Sequence, residues 1–132
     1  MDITLLLDAD LDGEAEIIQT GLEEIGWDRI LTIEIKRLRD FGLPHNSPDQ
    51  AIWRFVQQHR LWLVTNNRNS ESESSLQATI NRENTPDSLP VITTSDKDRL
   101  YETEYRRKAM TRLVEILISP ESSLGTGRLF IP

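Results

Sequence analysis

Short apolar runs alternate with stretches of helical periodicity along the chain, and few architectures satisfy that alternation. Residues 3–7 (ITLLL), 31–38 (LTIEIKRL), 61–65 (LWLVT) and 91–94 (VITT) read as strands, and the C-terminal GTGRLFIP reads as a fifth, entered through a glycine turn. Between the first two, Ala15, Ile18, Leu22 and Ile25 fall on one helical face within 13–25, and Gly26 closes that helix. Ser47 is placed to cap the next helix, with Pro48 at its first position and Gln50 completing a capping box. Ile52, Trp53, Phe55 and Val56 would form its buried face. After a polar turn at 66–70, a third helix is expected over 74–82. The last and longest covers about 96–118, with Ser95 and Asp98 as its box-like start and Met110, Leu113, Val114 and Leu117 along its inner side. Glu102/Arg106 and Glu104/Lys108 stand at i,i+4 in the favourable order. Strands alternating with helices imply an α/β fold, a three-layer α/β/α arrangement with a mostly parallel central sheet. At 132 residues, with no internal repeat, a single domain is expected over 1–132.

Cysteine is absent, which excludes a disulfide framework, zinc–thiolate sites and thiol catalysis. No apolar run is long enough to span a bilayer, and Met1-Asp-Ile-Thr lacks the basic start of a signal peptide. A cytoplasmic protein without a membrane partner is expected. The net charge of −7 is unevenly spread: residues 1–28 hold nine acidic side chains and no Lys or Arg, whereas the remainder holds 15 basic against 13 acidic groups. One end of the fold should therefore be strongly electronegative. Such a field attracts cations and basic partners, and it repels a phosphate backbone unless a metal ion or arginines intervene.

That acidic end contains LLLDADLDGE at 5–14, three carboxylates on alternate positions after an apolar run. Sites in parallel sheets lie outside the carboxyl ends of the strands, so three groups are expected at one edge. They are Asp8 and Asp10 after the first strand, Asn66 and Asn67 after the third, and Asp96 and Asp98 after the fourth. Asp8-x-Asp10-x-Asp12-Gly13 matches the first six positions of a calcium loop, but the twelfth is Gln19, which cannot give the bidentate carboxylate. A plainer role for Asp10 or Asp12 is to cap the first helix, and for Asp49 to complement the dipole of the second. Trp53, Phe55 and Trp62 follow helix and strand periods and are expected in the core, while His45 and His59 show no ligand spacing. Basic residues cluster only at Lys36-Arg-Leu-Arg39 and Arg106-Arg107-Lys108. Arg68, within the asparagine-rich turn, is the best single candidate for a phosphate contact.

An apolar strand followed by Asp-x-Asp resembles the haloacid-dehalogenase-like phosphatases. The resemblance implies Asp8 as nucleophile, Asp10 as acid/base, Thr65 or Thr94 as the phosphate-holding hydroxyl, Lys97 as the cation, and Asp96 with Asp98 as magnesium ligands. Asp12 departs from that pattern, standing where the family usually has a hydroxyl or a small apolar residue.

A wider resemblance spans residues 3–69. Its blocks run strand, Leu-Leu-Asp-x-Asp, helix, strand, Leu-Pro-x-x-Ser-Pro-Asp-Gln-Ala-Ile-Trp (43–53), helix, then Leu-Val-Thr-Asn-Asn-Arg-Asn (63–69). In this order they resemble the compact PIN-like domains related to toxin nucleases. The resemblance implies metal-dependent hydrolysis of RNA phosphodiesters with magnesium or manganese. By position, Asp8, Asp49 and Asn67 would be the catalytic set, and Asp8, Asp10, Asp49, Asn67, Asn69 and Asp96 would hold the metal, with Asp12 or Asp98 as substitutes. Asn67 and Asn69 stand where the family usually has carboxylates, and an amide oxygen adds no negative charge to a hard-cation site. The alternative implied is a catalytically inactive PIN-like interaction module. Either reading implies a bacterial, toxin–antitoxin setting, with RNA or an antitoxin-like protein as partner. It also implies a homo-oligomer such as a homodimer, with exposed apolar groups on the long helix serving self-association or a partner.

Overall fold

The computed structural model describes residues 2–27, 31–66 and 71–132, with side chains from residue 75 onward in the last segment. Strands β1 (Asp2–Leu7), β2 (Thr32–Arg37), β3 (Trp62–Asn66), β4 (Val91–Thr94) and β5 (Arg128–Ile131) form one sheet in the order β2-β1-β3-β4-β5. Every neighbouring pair is parallel, so the sheet is wholly parallel where the sequence predicts mostly parallel. Helices α1 (Ala15–Glu24), α2 (Asp49–His59), α3 (Glu71–Glu83) and α4 (Thr103–Ile118) lie between successive strands.

Two apolar clusters sandwich the sheet. Leu5 and Leu7 of β1 join Ile18 and Leu22 of α1 and Met110, Leu113 and Leu117 of α4. Leu6 points the other way, into Ile52, Trp53 and Val56 of α2 and Leu76 and Ile80 of α3. Burial on both faces is why residues 5–7 form an unbroken leucine run, the mark of an inner parallel strand. At the β2 edge the pattern reverts to alternation, with Thr32 and Glu34 exposed and Ile33 and Ile35 half-buried.

The β1–α1–β2 connection steps one way along the sheet, and the other three step the opposite way. Helices α2 and α3 share one face, but α4 packs beside α1 on the other. The β4–α4–β5 crossover therefore winds with the opposite hand to the other three, an exception to the strong preference for right-handed units. One consequence is that no helix follows α3 over β5, and Phe130 is left 50% exposed. The apolar stripe of α4 (Met110, Leu113, Val114, Leu117) lies inside the core, on the inner side where its periodicity predicts it. Among the described residues, no helix is long and apolar enough to cross a membrane.

Several local expectations are replaced by tertiary bonds. Ser47 does not cap α2; its hydroxyl donates to the Pro44 carbonyl, Pro48 occupies the cap position, and the Gln50 amide donates to Glu83. Instead of one helix over 96–118, a 3₁₀ turn at Lys97–Tyr101 precedes α4, and Asp96, not Ser95, caps that turn through Asp98 N. Arg106 leaves Glu102 to Arg99 and reaches across to α1, donating two bonds to Glu24 and one to the Leu100 carbonyl. It is buried, which removes it from the basic surface cluster. Close approach of the two helices depends on Gly21, where a Cβ would stand 2.7 Å from Met110 Cγ and 2.9 Å from Arg106 Cγ.

The hydrogen bonds from Arg106 hold the Glu24 carboxyl below its ordinary value of 4.5, and Arg54 and Gln50 do the same to Glu83. A lowered native pKa contributes stability that is complete above the ordinary value and is lost as pH falls through the native one. Glu24→Gln should therefore lower the thermal midpoint at pH 7 and narrow its gap to wild type at pH 3. A gap that persists on acidification would locate the loss elsewhere than in the ion pair.

Candidate functional site

All four helices return antiparallel to the strands, so their N-termini and the loops that precede them gather at the carboxyl edge of the sheet. The chain reverses its direction across the sheet at β1 and β3, and outside such a switch point an open α/β fold has its natural crevice. Asp8 follows β1 there. Its N–H donates to the Val64 carbonyl at 3.0 Å, which extends the β1–β3 ladder by one residue. Its Oδ1 accepts from Ala9 N at 2.9 Å and caps a 3₁₀ turn at Ala9–Glu14, whereas α1 starts after Glu14 with no side-chain cap, so neither Asp10 nor Asp12 caps that helix as expected. The Asp8 side chain is only 5% exposed, and Leu11, 0% exposed, pins the turn to the core.

The turn presents Asp10, Asp12 and Glu14, and a lysine from β4's loop reaches into it. Lys97 Nζ donates to the Asp10 carbonyl at 2.9 Å and lies 3.8 Å from Glu14 Oε1. Its backbone N–H donates to Asn66 Oδ1 at 3.0 Å, tying in the end of β3. Tyr101 OH donates to the other Glu14 oxygen at 2.8 Å, and that carboxylate pushes the phenol above its ordinary 10.0. From the opposite side Arg37 Nε donates to the Asp12 carbonyl at 3.2 Å, and Asp12 Oδ1 is buried with no hydrogen-bond partner among the described residues. The three strand ends expected at one edge are thus joined by Lys97.

The remaining site residues are placed unequally. Asp49 opens α2 in its first turn, at the same edge, where the helix dipole favours a carboxylate. Asp96 and Asp98 are exposed at the rim, with Asp96 engaged in its own turn. Asn67, Arg68 and Asn69 lie outside the described residues. Thr65 and Thr94 are fully buried, the first sharing a hydrogen bond with Thr93 and the second with Tyr105, so neither presents its hydroxyl to a substrate phosphate. Trp53 and Trp62 are core residues, as their periodicity predicts, and Phe55 packs between the Phe41 and His59 rings. Of the other basic cluster, Lys36 lies 3.8 Å from Glu34 and Arg37 is bound to Asp12. Glu14 and Tyr101 were missed by sequence reasoning; they are 87 positions apart, with no local signal of their contact.

Oxygen-only donors at an acidic edge suit a hard divalent cation, and the Lys97 ammonium seated among them shows that the place accepts positive charge. Among the described residues, no three carboxylate or imidazole groups are arranged to hold an ion by themselves. The oxygens at this edge are of the hard-donor type, but the described residues do not by themselves form an ion's ligand set.

Because Leu11 is the one fully buried residue of the acidic turn, Leu11→Ala should cost about 2–5 kcal/mol. A urea titration should show a lower midpoint at unchanged slope; a loss below about 1 kcal/mol would mean the turn is held by its polar bonds instead. No known protein family, curated protein or solved structure matches this chain.

Proposed function

We propose that the chain is a PIN-like domain whose carboxyl-edge crevice carries out metal-dependent, ribonuclease-type phosphodiester hydrolysis with a reduced set of carboxylates. The observation that carries the reading is Asp8: a nearly inaccessible carboxylate at the switch point, followed by Asp10, whose carbonyl accepts from the Lys97 ammonium. Asp8, Asp10, Asp49 and Asp96, with the amide oxygens of Asn67 and Asn69, would hold magnesium or manganese. Bound there, the ion would supply a more acidic water and neutralise phosphate charge. Asp8, Asp49 and Asn67 would face the reacting phosphate, and Arg68 would hold it by charge-assisted hydrogen bonds. Two amides in place of carboxylates weaken the hold on the ion.

A second reading is favoured by the Lys97 ammonium itself. A crevice that already contains its own cation suits a PIN-like interaction module that no longer needs a metal. RNA as substrate, or an antitoxin-like protein as partner, belongs to these two readings respectively, in the bacterial cytoplasm.

A titration with Mn2+ and Mg2+ separates them. An ion that binds only the native fold, at 100 times its Kd, adds about 2.7 kcal/mol to stability. The hydrolase reading predicts a rise in the thermal midpoint at millimolar Mn2+ that Asp8→Asn abolishes, together with Mn2+-dependent cleavage of single-stranded RNA. No rise at all would leave the interaction module as the better account.

A further inference from the structure

The sheet ends at β2 on one side and at β5 on the other, and the two edges differ. Strand β2 carries Glu34 and Lys36, charges of the kind that guard an edge against further pairing. In β5, Leu129 and Ile131 pack into the cluster of α4, while Arg128 and Phe130 lie on the α3 side, where Phe130 is half exposed. Arg128 and Phe130 border a groove whose wall is Ile80, Asn81 and Asn84 of α3. Among the described residues no Lys, Asp or Glu lines it. That depletion, with an aromatic ring and an arginine present, is the composition of an interface centre.

The backbone decides what can pair with the edge. Val91 N donates to the Gly127 carbonyl, so Leu129 and Ile131 turn their N–H and C=O groups toward β4, and Arg128 and Phe130 turn theirs outward. A second β5, laid antiparallel about a two-fold axis at Leu129, sets Arg128 opposite Phe130 of the second copy, and the converse. Both are then hydrogen-bonded pairs, each exchanging two N–H···O bonds. On the α3 side each guanidinium meets the other copy's Phe130 ring, and on the opposite face Leu129 meets its own image. Neighbouring registers are worse. Centring on Phe130 brings Pro132, which has no N–H, into the ladder, and centring on Arg128 sets like charges opposite each other. We propose that β5 is a homodimer edge, at which two copies of this chain pair antiparallel about Leu129 into one continuous sheet. The same patch serves both copies, as an isologous contact requires. The two-fold axis reverses strand direction, so the two carboxyl-edge crevices open at opposite ends of the dimer, and the inference rests on neither reading of that crevice.

The test is sedimentation equilibrium of the wild type, Phe130→Lys, Phe130→Glu and Ile118→Lys, each checked for native circular dichroism, with hydrogen exchange of the β5 amides read alongside. Lysine at position 130 faces Arg128 of the second copy as a like charge, whereas glutamate meets it as an ion pair, so the two variants remove the same ring with opposite electrostatics. Ile118 is the exposed apolar residue at the end of α4 and reports self-association through the long helix instead. The expected result is a wild-type dimer at about 100 µM, a dissociation constant raised about a hundredfold or more in Phe130→Lys, and changes under about tenfold in Phe130→Glu and Ile118→Lys. The Arg128 and Phe130 amides should exchange slowly in the wild type and quickly in Phe130→Lys. A monomeric wild type at that concentration would overturn the proposal, as would a dimer that survives Phe130→Lys or one that Ile118→Lys dissolves. Equal loss in both Phe130 variants would overturn the register about Leu129.

Discussion

The parallel run of all five strands is the constraint from which the rest follows. It obliges each helix to return antiparallel, so four helix N-termini and the loops ahead of them crowd one edge of the sheet. The same constraint buries β1 on both faces. Leu5, Leu6 and Leu7 are wholly inaccessible, and the first polar residue after them, Asp8, emerges where the sheet changes direction. An acidic segment placed there faces the positive ends of the helix dipoles, which offsets part of the repulsion among Asp8, Asp10, Asp12 and Glu14.

Dipoles act over a turn or so, and the edge also has specific counter-charges. Lys97 and Arg37 both donate to backbone carbonyls of the acidic turn, at Asp10 and Asp12. Bonding to the backbone holds the turn's shape, and a cation beside carboxylates lowers their mutual repulsion without claiming their oxygens as first partners. This arrangement places a positive charge among the carboxylates of the acidic turn at the carboxyl edge of the sheet. The two helices on the α1 face are joined by a comparable device, the Arg106–Glu24 fork beside the close approach at Gly21.

Much of this was legible in the sequence. Periods of two and 3.6 residues locate the strands and helices, and the leucine run at 5–7 marks an inner strand, because both signals come from burial against a sheet. The convergence of Asp8, Asn66 and Asp96 on one edge follows from topology alone. What was not legible depends on long-range geometry. Ser47, Gln50 and Glu102 all carry local motif patterns, yet each is drawn to a different partner or role by neighbours that only the fold supplies. The basic run at 106–108 looks like a surface patch, but its first arginine faces α1 and is buried. Likewise the reversed hand of the β4–α4–β5 crossover leaves no trace in hydrophobic period, since α4 needs one apolar stripe whichever face it covers.

The most direct test of the account is backbone amide NMR of the wild type during addition of substoichiometric Mn2+, whose paramagnetism broadens signals near the ion. The account predicts broadening concentrated at residues 8–14, at Asn66 and at 95–98, with α2's C-terminus and β5 spared. Broadening spread evenly over the acidic surface, or centred away from this edge, would contradict it.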